Sequence, residues 1–457
     1  MKTLLRGGSV VSGSGAVRSD VLIEDGRVAA VGLSLDAKDA SVSDVSGMLL
    51  FPGFIDAHTH FDLDVCGTTT ADDFYTGGRS AIRGGTTTVI DFACPNKGES
   101  LQYGLELWRK KAEKRGCACD YGFHMTIDDW NPSVEAELPE MFRQGVTSFK
   151  AYMAYPAMMV GDRDLLRALR KMKALGGVIG VHCENGDAID ALIAEKKAAG
   201  QLDPTAHPQS RPAILEAEAV SRLLKLASVA DVPVVIVHLS SAAALREVRL
   251  AREAGQKVYV ETCPQYLLLD DRLYALPDFG GGRYVCAPPL RKPADCACLW
   301  QALADGEIQT VSTDHCSFTL AQKDAGRGDF TKIPGGLPGV ETRGTLLYTA
   351  GVDGGRITLG KMCELLSENP AKLYGLWPRK GVLAPGSDAD IVVYDPEADA
   401  VITAADHASA ADYAPFEGYR TKGSIAQVYL RGTLTVDHGE ILRDRGGCFL
   451  ARERGSL

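Results

Sequence analysis

The feature that most constrains the fold of this chain is a series of short apolar runs that alternate with longer amphipathic stretches. Eight runs have the pattern of buried parallel strands, and they occupy residues 49–60, 86–93, 121–127, 148–153, 177–184, 233–240, 257–264 and 309–316. Helical patterns such as those of 101–115 and 214–227 separate most of them. Eight β/α units in series predict an α/β fold, a (β/α)8 barrel of the TIM type.

A doubly wound sheet, the other common arrangement of alternating strands and helices, is disfavoured. Its first strand would lead into a glycine-rich turn that binds phosphate. The first run of this chain ends instead in the sequence HTHFD.

The two ends of the chain have a different pattern. Residues 1–50 and 377–457 contain short strand-like runs that are separated by turn dipeptides such as Asp25-Gly26. Chain termini commonly lie close together, so we expect both ends to form one small β-sandwich beside the barrel. The predicted domains are 1–50 and 377–457 for the two parts of the sandwich, and 51–376 for the barrel.

Composition excludes several partners and locations. The net charge is −10, from 49 Lys+Arg against 59 Asp+Glu, which argues against nucleic acid or an anionic membrane as a partner. No run approaches about 18 apolar residues, so no transmembrane helix is expected, and the N-terminus lacks the apolar core of a signal peptide. The 12 cysteines follow no disulfide or zinc-finger pattern. A cytoplasmic protein, in which thiols stay reduced, is predicted.

Reactive side chains fall at the C-terminal ends of the predicted strands, where barrel enzymes carry their functional residues. They are His58 and His60 on the first strand, Lys150 on the fourth, His182 on the fifth, His238 on the sixth and Asp314 on the eighth. A single histidine or aspartate in such a place is most often a core residue or a helix cap. Six of them on five strands favour an active site.

The histidines predict a site for two metal ions. His58 and His60 are two positions apart on an extended chain, so both rings face the same side and can bind one metal. His182 and His238 can bind a second. Imidazole and carboxylate ligands suit zinc.

Lys150 and Asp314 complete this site. An ammonium inside an apolar strand is costly unless it is paired or modified. Carboxylated by carbon dioxide, the Lys150 side chain becomes a carbamate with one oxygen for each metal. Asp314 can ligate one metal and accept the proton of an attacking water.

Long motifs identify a family. They include PGFIDAHTHFDLDV, SFKAYMAY, VHCENGDAI, VETCPQYLLLD, STDHCSF, DFTKIPGGLPGVETR and GSDADIVVYD. Through them, essentially the whole chain resembles the cyclic amidohydrolases of the dihydropyrimidinase and D-hydantoinase family, most closely bacterial phenylhydantoinases. The resemblance implies a barrel with a β-sandwich, a homotetramer, and opening of 5-substituted hydantoins or dihydropyrimidines to N-carbamoyl amino acids.

The resemblance also implies roles for single residues and a cofactor. Two zinc ions per chain are bridged by a hydroxide and by Lys150, modified to N6-carboxylysine. One ion is bound by His58, His60 and Asp314, and the other by His182 and His238. The catalytic residues are Asp314, which transfers the proton, and Tyr155, which hydrogen-bonds the substrate carbonyl.

Two substrate-binding positions depart from the family pattern. Ala287 stands where many members have serine, and Gly335 stands where asparagine is usual. Because the family contacts the substrate ring there chiefly through main-chain atoms, the contacts are expected to persist. We expect the pocket for the 5-substituent to be lined by Leu63, Val65, Tyr152 and Met159. The histidines His207, His407 and His438 are expected at the surface.

Other functions stay open. Ala287 mildly favours an allantoinase or an L-hydantoinase, whereas SFKAYMAY with Tyr155 favours the dihydropyrimidinase side. A dihydroorotase is expected to carry arginine where this chain has Asp62. A remote alternative is a non-catalytic scaffold protein of the same fold, but such relatives have lost metal ligands that this chain keeps.

Overall fold

The N-terminal part of the described chain forms seven strands that precede the barrel. The structure is a computed structural model that describes residues 2–36 and 38–457. The strands are β1 (Lys2–Arg6), β2 (Ser9–Ser12), β3 (Gly15–Arg18), β4 (Asp20–Glu24), β5 (Arg27–Gly32), β6 (Ser41–Asp44) and β7 (Leu49–Pro52). Asp25 and Gly26 join β4 to β5 with φ angles of 49° and 81°, as a two-residue hairpin turn requires.

Eight parallel strands form the barrel. The barrel strands are β8 (Phe54–Thr59), β11 (Thr86–Ala93), β12 (Asp120–Thr126), β13 (Ser148–Tyr152), β14 (Val178–His182), β15 (Val234–Ile236), β16 (Val258–Thr262) and β17 (Thr310–Val311). A short hairpin of β9 (Asp64–Val65) and β10 (Thr68–Thr69) follows β8 and lies outside the barrel sheet. Apart from the hairpin, each strand pairs with the next in chain order. A parallel bridge between Thr59 and His315 joins the first strand to the segment after the last. The predicted TIM-like barrel is confirmed.

Helices follow the barrel strands and cover them. They are α1 (Phe74–Arg83), α2 (Leu101–Arg115), α3 (Pro132–Arg143), α4 (Asp162–Leu175), α5 (Gly186–Ala198), α6 (Ala206–Ser210), α7 (Ala213–Ala230), α8 (Ala242–Glu253), α9 (Pro264–Leu268), α10 (Pro293–Ala304), α11 (Leu320–Asp324), α12 (Arg343–Leu347), α13 (Leu359–Cys363) and α14 (Asn369–Leu373). In α4 the buried residues Leu165, Leu169 and Met172 recur at helical spacing, which gives the helix one apolar face toward the core. In the part of the chain that the structure describes, none of the helices has both the length and the apolar character that crossing a membrane requires.

Both chain ends build the β-sandwich. After the barrel come β18 (Ile391–Val401), β19 (Arg420–Leu430), β20 (Thr433–Asp437) and β21 (Glu440–Ile441). One sheet has the order β21-β20-β19-β18-β7-β2-β3 and so mixes N- and C-terminal strands, while the other has the order β5-β4-β1-β6. A buried cluster that includes Leu5, Val21, Ile391, Val393 and Tyr429 fills the space between them. The predicted sandwich from both ends is confirmed. The domain limits 1–50, 51–376 and 377–457 stay a proposal.

The C-terminal tail packs on the barrel of its own chain. The amide of Leu450 donates to the Tyr121 carbonyl at 2.7 Å, and the amide of Arg452 donates to the Gly145 carbonyl at 3.0 Å. The buried Arg452 guanidinium donates to the carbonyls of Phe123 and Tyr374. Tyr121 and Gly145 lie where barrel strands begin, so the tail covers the N-terminal end of the barrel.

A buried ion cluster joins the barrel to the C-terminal part of the sandwich. The Lys380 ammonium lies 2.9 Å from Asp120 at the start of β12 and also contacts Asp390 just before β18. Burial opposes the charge of Lys380, but Asp390 and Asp120 raise its pKa above the usual value. Removing one partner from such a cluster leaves an uncompensated buried charge.

Replacing this lysine tests the junction. We expect Lys380→Met to lower the free energy of unfolding by about 3–5 kcal/mol, because Asp120 and Asp390 lose their shared cation. Thermal and urea unfolding measure the change. The matched control is Lys110→Met on an exposed face of α2, which is expected to change stability by less than about 0.5 kcal/mol. Equal stability of the two variants would contradict a stabilising role for the cluster.

Candidate active site

The six predicted metal ligands lie together at the C-terminal end of the barrel. His58 is in β8, His60 follows it directly, Lys150 is in β13, His182 ends β14, and His238 and Asp314 lie just beyond β15 and β17. The ring centroids of His58 and His238 are 5.4 Å apart, and those of His182 and His238 are 4.7 Å apart. All of these side chains except Asp314 are buried, and that carboxylate is 14% exposed.

The first group converges on one carboxylate oxygen. Asp314 Oδ1 lies 3.1 Å from His58 Nε2 and 3.0 Å from His60 Nε2. Burial would raise the pKa of Asp314, but the two histidines hold it well below its usual range. Burial also lowers the pKa of His60 to about 4, so its imidazole is neutral, as a metal ligand requires.

The second group is a pair of histidines. His182 Nδ1 lies 2.9 Å from His238 Nε2. Burial lowers the pKa of both rings, which keeps them neutral. Two neutral imidazole nitrogens at this distance can bind the same cation.

Lys150 is buried close enough to both groups for its charge to act on all four histidines. Its side chain is 1% exposed, and its Nζ is 4.7 Å from the ring centroid of Phe92 and 4.9 Å from that of Tyr152. Burial and the charge of Lys150 lower the pKa of His60, His182 and His238. At His58 burial and Lys150 act in the same direction, but Asp314 and Glu261 raise its pKa to about 8. Burial in turn lowers the pKa of Lys150 itself, which favours the neutral amine.

The donor set fits metal binding. Ligand atoms of His58, His238 and Asp314 all lie within 4.8 Å of one another. Neutral imidazoles with an ionised carboxylate are the ligands of catalytic zinc sites. The residues present are therefore compatible with the metals that the resemblance implies.

Glu261 at the end of β16 orients His58, a contact that the sequence analysis did not assign. Its Oε1 accepts hydrogen bonds from His58 Nδ1 at 2.7 Å and from the His238 amide, and its Oε2 accepts one from Ser312 Oγ. A proton on Nδ1 leaves Nε2 free to bind a metal. The available signal was a glutamate inside the apolar run of residues 257–264, the same signal that pointed to Lys150.

A second carboxylate, Glu184, links His182 to Arg211. Its Oε2 lies 2.8 Å from His182 Nε2 and 2.6 Å from the Arg211 guanidinium. Burial opposes ionisation, but Arg211 and His182 lower the pKa of Glu184 to about 2. The Arg211 guanidinium also lies 5.3 Å from the Tyr155 ring centroid. This network was not predicted from the sequence.

Tyr155 faces the histidines from the loop after β13. Its ring centroid is 5.1 Å from that of His182, and burial raises the pKa of its hydroxyl above the usual value. Tyr155, His238 and Asp314 all have positive φ angles, of 69°, 39° and 52°. Such strained backbone in residues other than glycine is concentrated at functional sites.

The predicted substrate-pocket residues lie at the ends of barrel strands or in the segments that follow them. Leu63 is buried, Val65 is half-buried in the hairpin after His60, and Tyr152 has its ring centroid 6.0 Å from that of His182. The Met159 amide donates to the Tyr155 carbonyl at 2.8 Å. The segments of Ala287 and Gly335 meet where the Gly336 amide donates to the Val285 carbonyl at 3.0 Å.

His207 is not at the surface, so that expectation is wrong. Its ring is buried, and Nε2 lies 2.8 Å from the Cys286 carbonyl. The sequence around His207 is polar, but 3-dimensional packing places it beneath the Cys286 segment.

Comparison with known proteins assigns the fold and site to a family. The model of the Amidohydrolase family matches residues 49–435. The chain belongs to this family. This amidohydrolase is 46% identical to D-hydantoinase of Streptomyces coelicolor, over 97% of this chain and 96% of that one. It is 43% identical to D-phenylhydantoinase of Escherichia coli O1:K1, over 99% and 98% of the two chains.

Solved structures agree with the sequence matches. The crystal structure of dihydropyrimidinase from Brevibacillus agri superimposes on this chain with a TM-score of 0.98 and 42% sequence identity. The match covers 100% of each of the two chains. The L-hydantoinase from Arthrobacter aurescens gives a TM-score of 0.87 at 31% identity, over 98% of this chain and 99% of that one. The predicted membership of the cyclic amidohydrolases is confirmed, and the amidohydrolase is an enzyme rather than a scaffold protein.

The contact between Glu261 and His58 generates a prediction. We expect Glu261→Gln to weaken metal binding by about 10- to 100-fold, because an amide orients the imidazole less well than a carboxylate. Competition with a chelator measures the affinity. The control is Glu216→Gln, which alters a buried carboxylate bonded to Ser240 and Arg291 and is expected to leave metal affinity unchanged. Equal affinity of both variants and wild type would contradict the assigned role of Glu261.

Proposed function

We propose that this amidohydrolase opens the cyclic amide ring of 5-substituted hydantoins or dihydropyrimidines and releases N-carbamoyl amino acids. The observation that supports it is the convergence of four buried histidines, Lys150 and Asp314 at the C-terminal end of the barrel. The 46% identity to a D-hydantoinase over nearly the whole chain narrows the substrate to this class.

Two zinc ions belong to the proposal. His58, His60 and Asp314 would hold one, His182 and His238 would hold the other, and carboxylated Lys150 would bind both. When bound, zinc polarises a carbonyl and lowers the pKa of a coordinated water to about 7. Carboxylation joins the Lys150 nitrogen to the carbon of carbon dioxide and releases a proton, and the lowered pKa of the lysine favours the amine that reacts.

Asp314 moves the proton of the reaction. Its carboxylate is held ionised by His58 and His60, so it can accept the proton of the attacking water. It then gives the proton to the ring nitrogen as the C–N bond breaks. Its position beside both histidines allows one residue to serve both steps.

Tyr155 stabilises the charge that develops on the substrate carbonyl oxygen. Burial raises the pKa of its hydroxyl, so the group keeps its proton and acts as a donor. The apolar side chains of Leu63, Val65, Tyr152 and Met159 would surround the 5-substituent. The main chains of Ala287 and Gly335 would contact the ring.

A second candidate is ring opening of the allantoinase or L-hydantoinase type, which the alanine at position 287 favours. The lower TM-score of the L-hydantoinase structure, 0.87 against 0.98 for the dihydropyrimidinase, favours the first candidate. A homotetramer and a cytoplasmic location complete the proposal. The homotetramer rests on the family resemblance, and the location rests on the 12 cysteines, which follow no disulfide pattern.

Turnover of different rings tests the function. We expect a higher kcat/KM for D-5-phenylhydantoin than for dihydrouracil, because the proposed side-chain pocket is apolar. Zinc-replete protein prepared in bicarbonate would be assayed on both compounds and on allantoin. Turnover of allantoin alone, or of no ring with two zinc ions bound, would contradict the proposal.

Removing one hydroxyl tests the role of Tyr155. We expect Tyr155→Phe to lower kcat by about 100- to 1000-fold with unchanged zinc content, because one donor to the oxyanion is lost. Steady-state kinetics and metal analysis measure both quantities. Tyr152→Phe is the matched control, since its ring also faces His182 but is proposed only as apolar lining. A kcat of Tyr155→Phe close to that of the control would remove Tyr155 from the mechanism.

A further inference from the structure

Lys323 in α11 is a buried cation with an unusual set of partners. Its side chain is 1% exposed, and its Nζ donates to the carbonyls of Val285 at 2.8 Å, Pro334 at 2.7 Å and Gly336 at 2.8 Å. An ammonium has three N–H donors, so these three carbonyls use all of them. Among residues 2–36 and 38–457, no carboxylate forms an ion pair with it. Burial lowers the pKa of Lys323 to about 8, which leaves it charged at neutral pH.

The three carbonyls belong to two separate segments of the chain. Val285 lies two residues before Ala287, and Pro334 and Gly336 stand on either side of Gly335. These are the segments proposed to contact the substrate ring. One ammonium therefore holds both segments at a fixed separation.

Other buried groups fix the flanks of the first segment. His207 Nε2 donates to the Cys286 carbonyl, and the Tyr266 hydroxyl donates to the Pro288 carbonyl, each at 2.8 Å. In the part of the chain that the structure describes, no hydrogen bond engages the main chain of Ala287 or Gly335. Both residues are partly exposed. The flanks are held while the two central main chains stay available.

The second segment is anchored beside Asp314. The Cys316 amide donates to the Leu337 carbonyl at 3.1 Å. Gly336 packs so closely on Cys316 that a Cβ there would overlap the Cys316 carbonyl. By contrast, a Cβ at Gly335 would meet nothing within 4 Å, so this residue borders open space.

We propose that Lys323 is a positioning residue that holds the main chains of Ala287 and Gly335 at the separation needed to bind the ring of the substrate. The inference rests on the proposed function and names a group that serves it. Cyclic ureides and imides carry C=O and N–H groups around a rigid ring. Two main-chain groups at fixed positions can pair with such groups and select the ring independently of its 5-substituent.

Two variants of Lys323 test this role. We expect Lys323→Met to lower kcat/KM by about 10- to 100-fold, mainly by raising KM, because small misplacement of binding groups has effects of this size. The ratio of kcat/KM for D-5-phenylhydantoin to that for unsubstituted hydantoin should stay unchanged, and so should the zinc content. Lys323→Ala should behave alike, and added ethylammonium should restore part of its activity by supplying the missing cation.

Arg452→Met is the matched control. Arg452 is also a buried cation that donates to main-chain carbonyls, but it lies at the opposite end of the barrel. We expect this variant to lower the melting temperature without raising KM. An unchanged KM in Lys323→Met, or a loss of activity that follows loss of zinc, would overturn the proposal.

Hydrogen exchange separates this proposal from the proposed function. We expect faster amide exchange in peptides covering 285–290 and 333–339 in Lys323→Met but not in Arg452→Met. Unchanged exchange in both segments would overturn the positioning role even if wild type is active. If wild type opens none of the rings, the proposed function fails and the ring-binding role of Lys323 fails with it. Faster exchange in Lys323→Met would in that case still show that Lys323 holds the two segments in place.

Discussion

Closure of eight parallel strands into one ring is the constraint on which the rest of the molecule depends. In such a ring all strands point the same way, so their C-terminal ends meet around one opening. Residues far apart in sequence, such as His58 and Asp314, thereby come to 3.1 Å from each other. The sandwich and the C-terminal tail lie elsewhere on the barrel, and the tail covers its N-terminal end. The C-terminal end of the barrel is therefore the end that carries the candidate active site.

Burial of charge inside this frame sets the character of each site. Lys380 is buried with carboxylates on both sides, so its pKa rises and it serves as a structural tie. Lys150 is buried beside aromatic rings, so its pKa falls and the neutral amine is favoured. Lys323 is buried with three main-chain carbonyls as hydrogen-bond acceptors, and it connects the two segments to which they belong. The same side chain has three roles because its partners differ.

Much of the fold could be predicted because its signals are local. The apolar runs gave the positions of the barrel strands, although the first run, 49–60, is divided between β7 of the sandwich and β8 of the barrel. No local pattern separates these strands, since both are apolar and buried. The candidate ligands could be predicted because each is a polar residue at the end of an apolar strand. The burial of His207 could not be predicted, because it depends on the segment of Cys286, which is distant in sequence and packs on the His207 ring.

The sequence by itself determined the kind of barrel, the pairing of its ends into a sandwich, the candidate ligands and the family. These follow from periodicity, residue type and motif, which are properties of short stretches. Only the tertiary structure decided which groups orient those ligands. Glu261 contacts His58 across 203 positions of the chain, and Lys323 joins segments that begin at 285 and 334. The physical reason is that a buried group forms its hydrogen bond with a partner that is near in space. Separation along the chain does not predict that distance, because the folding of the barrel sets it.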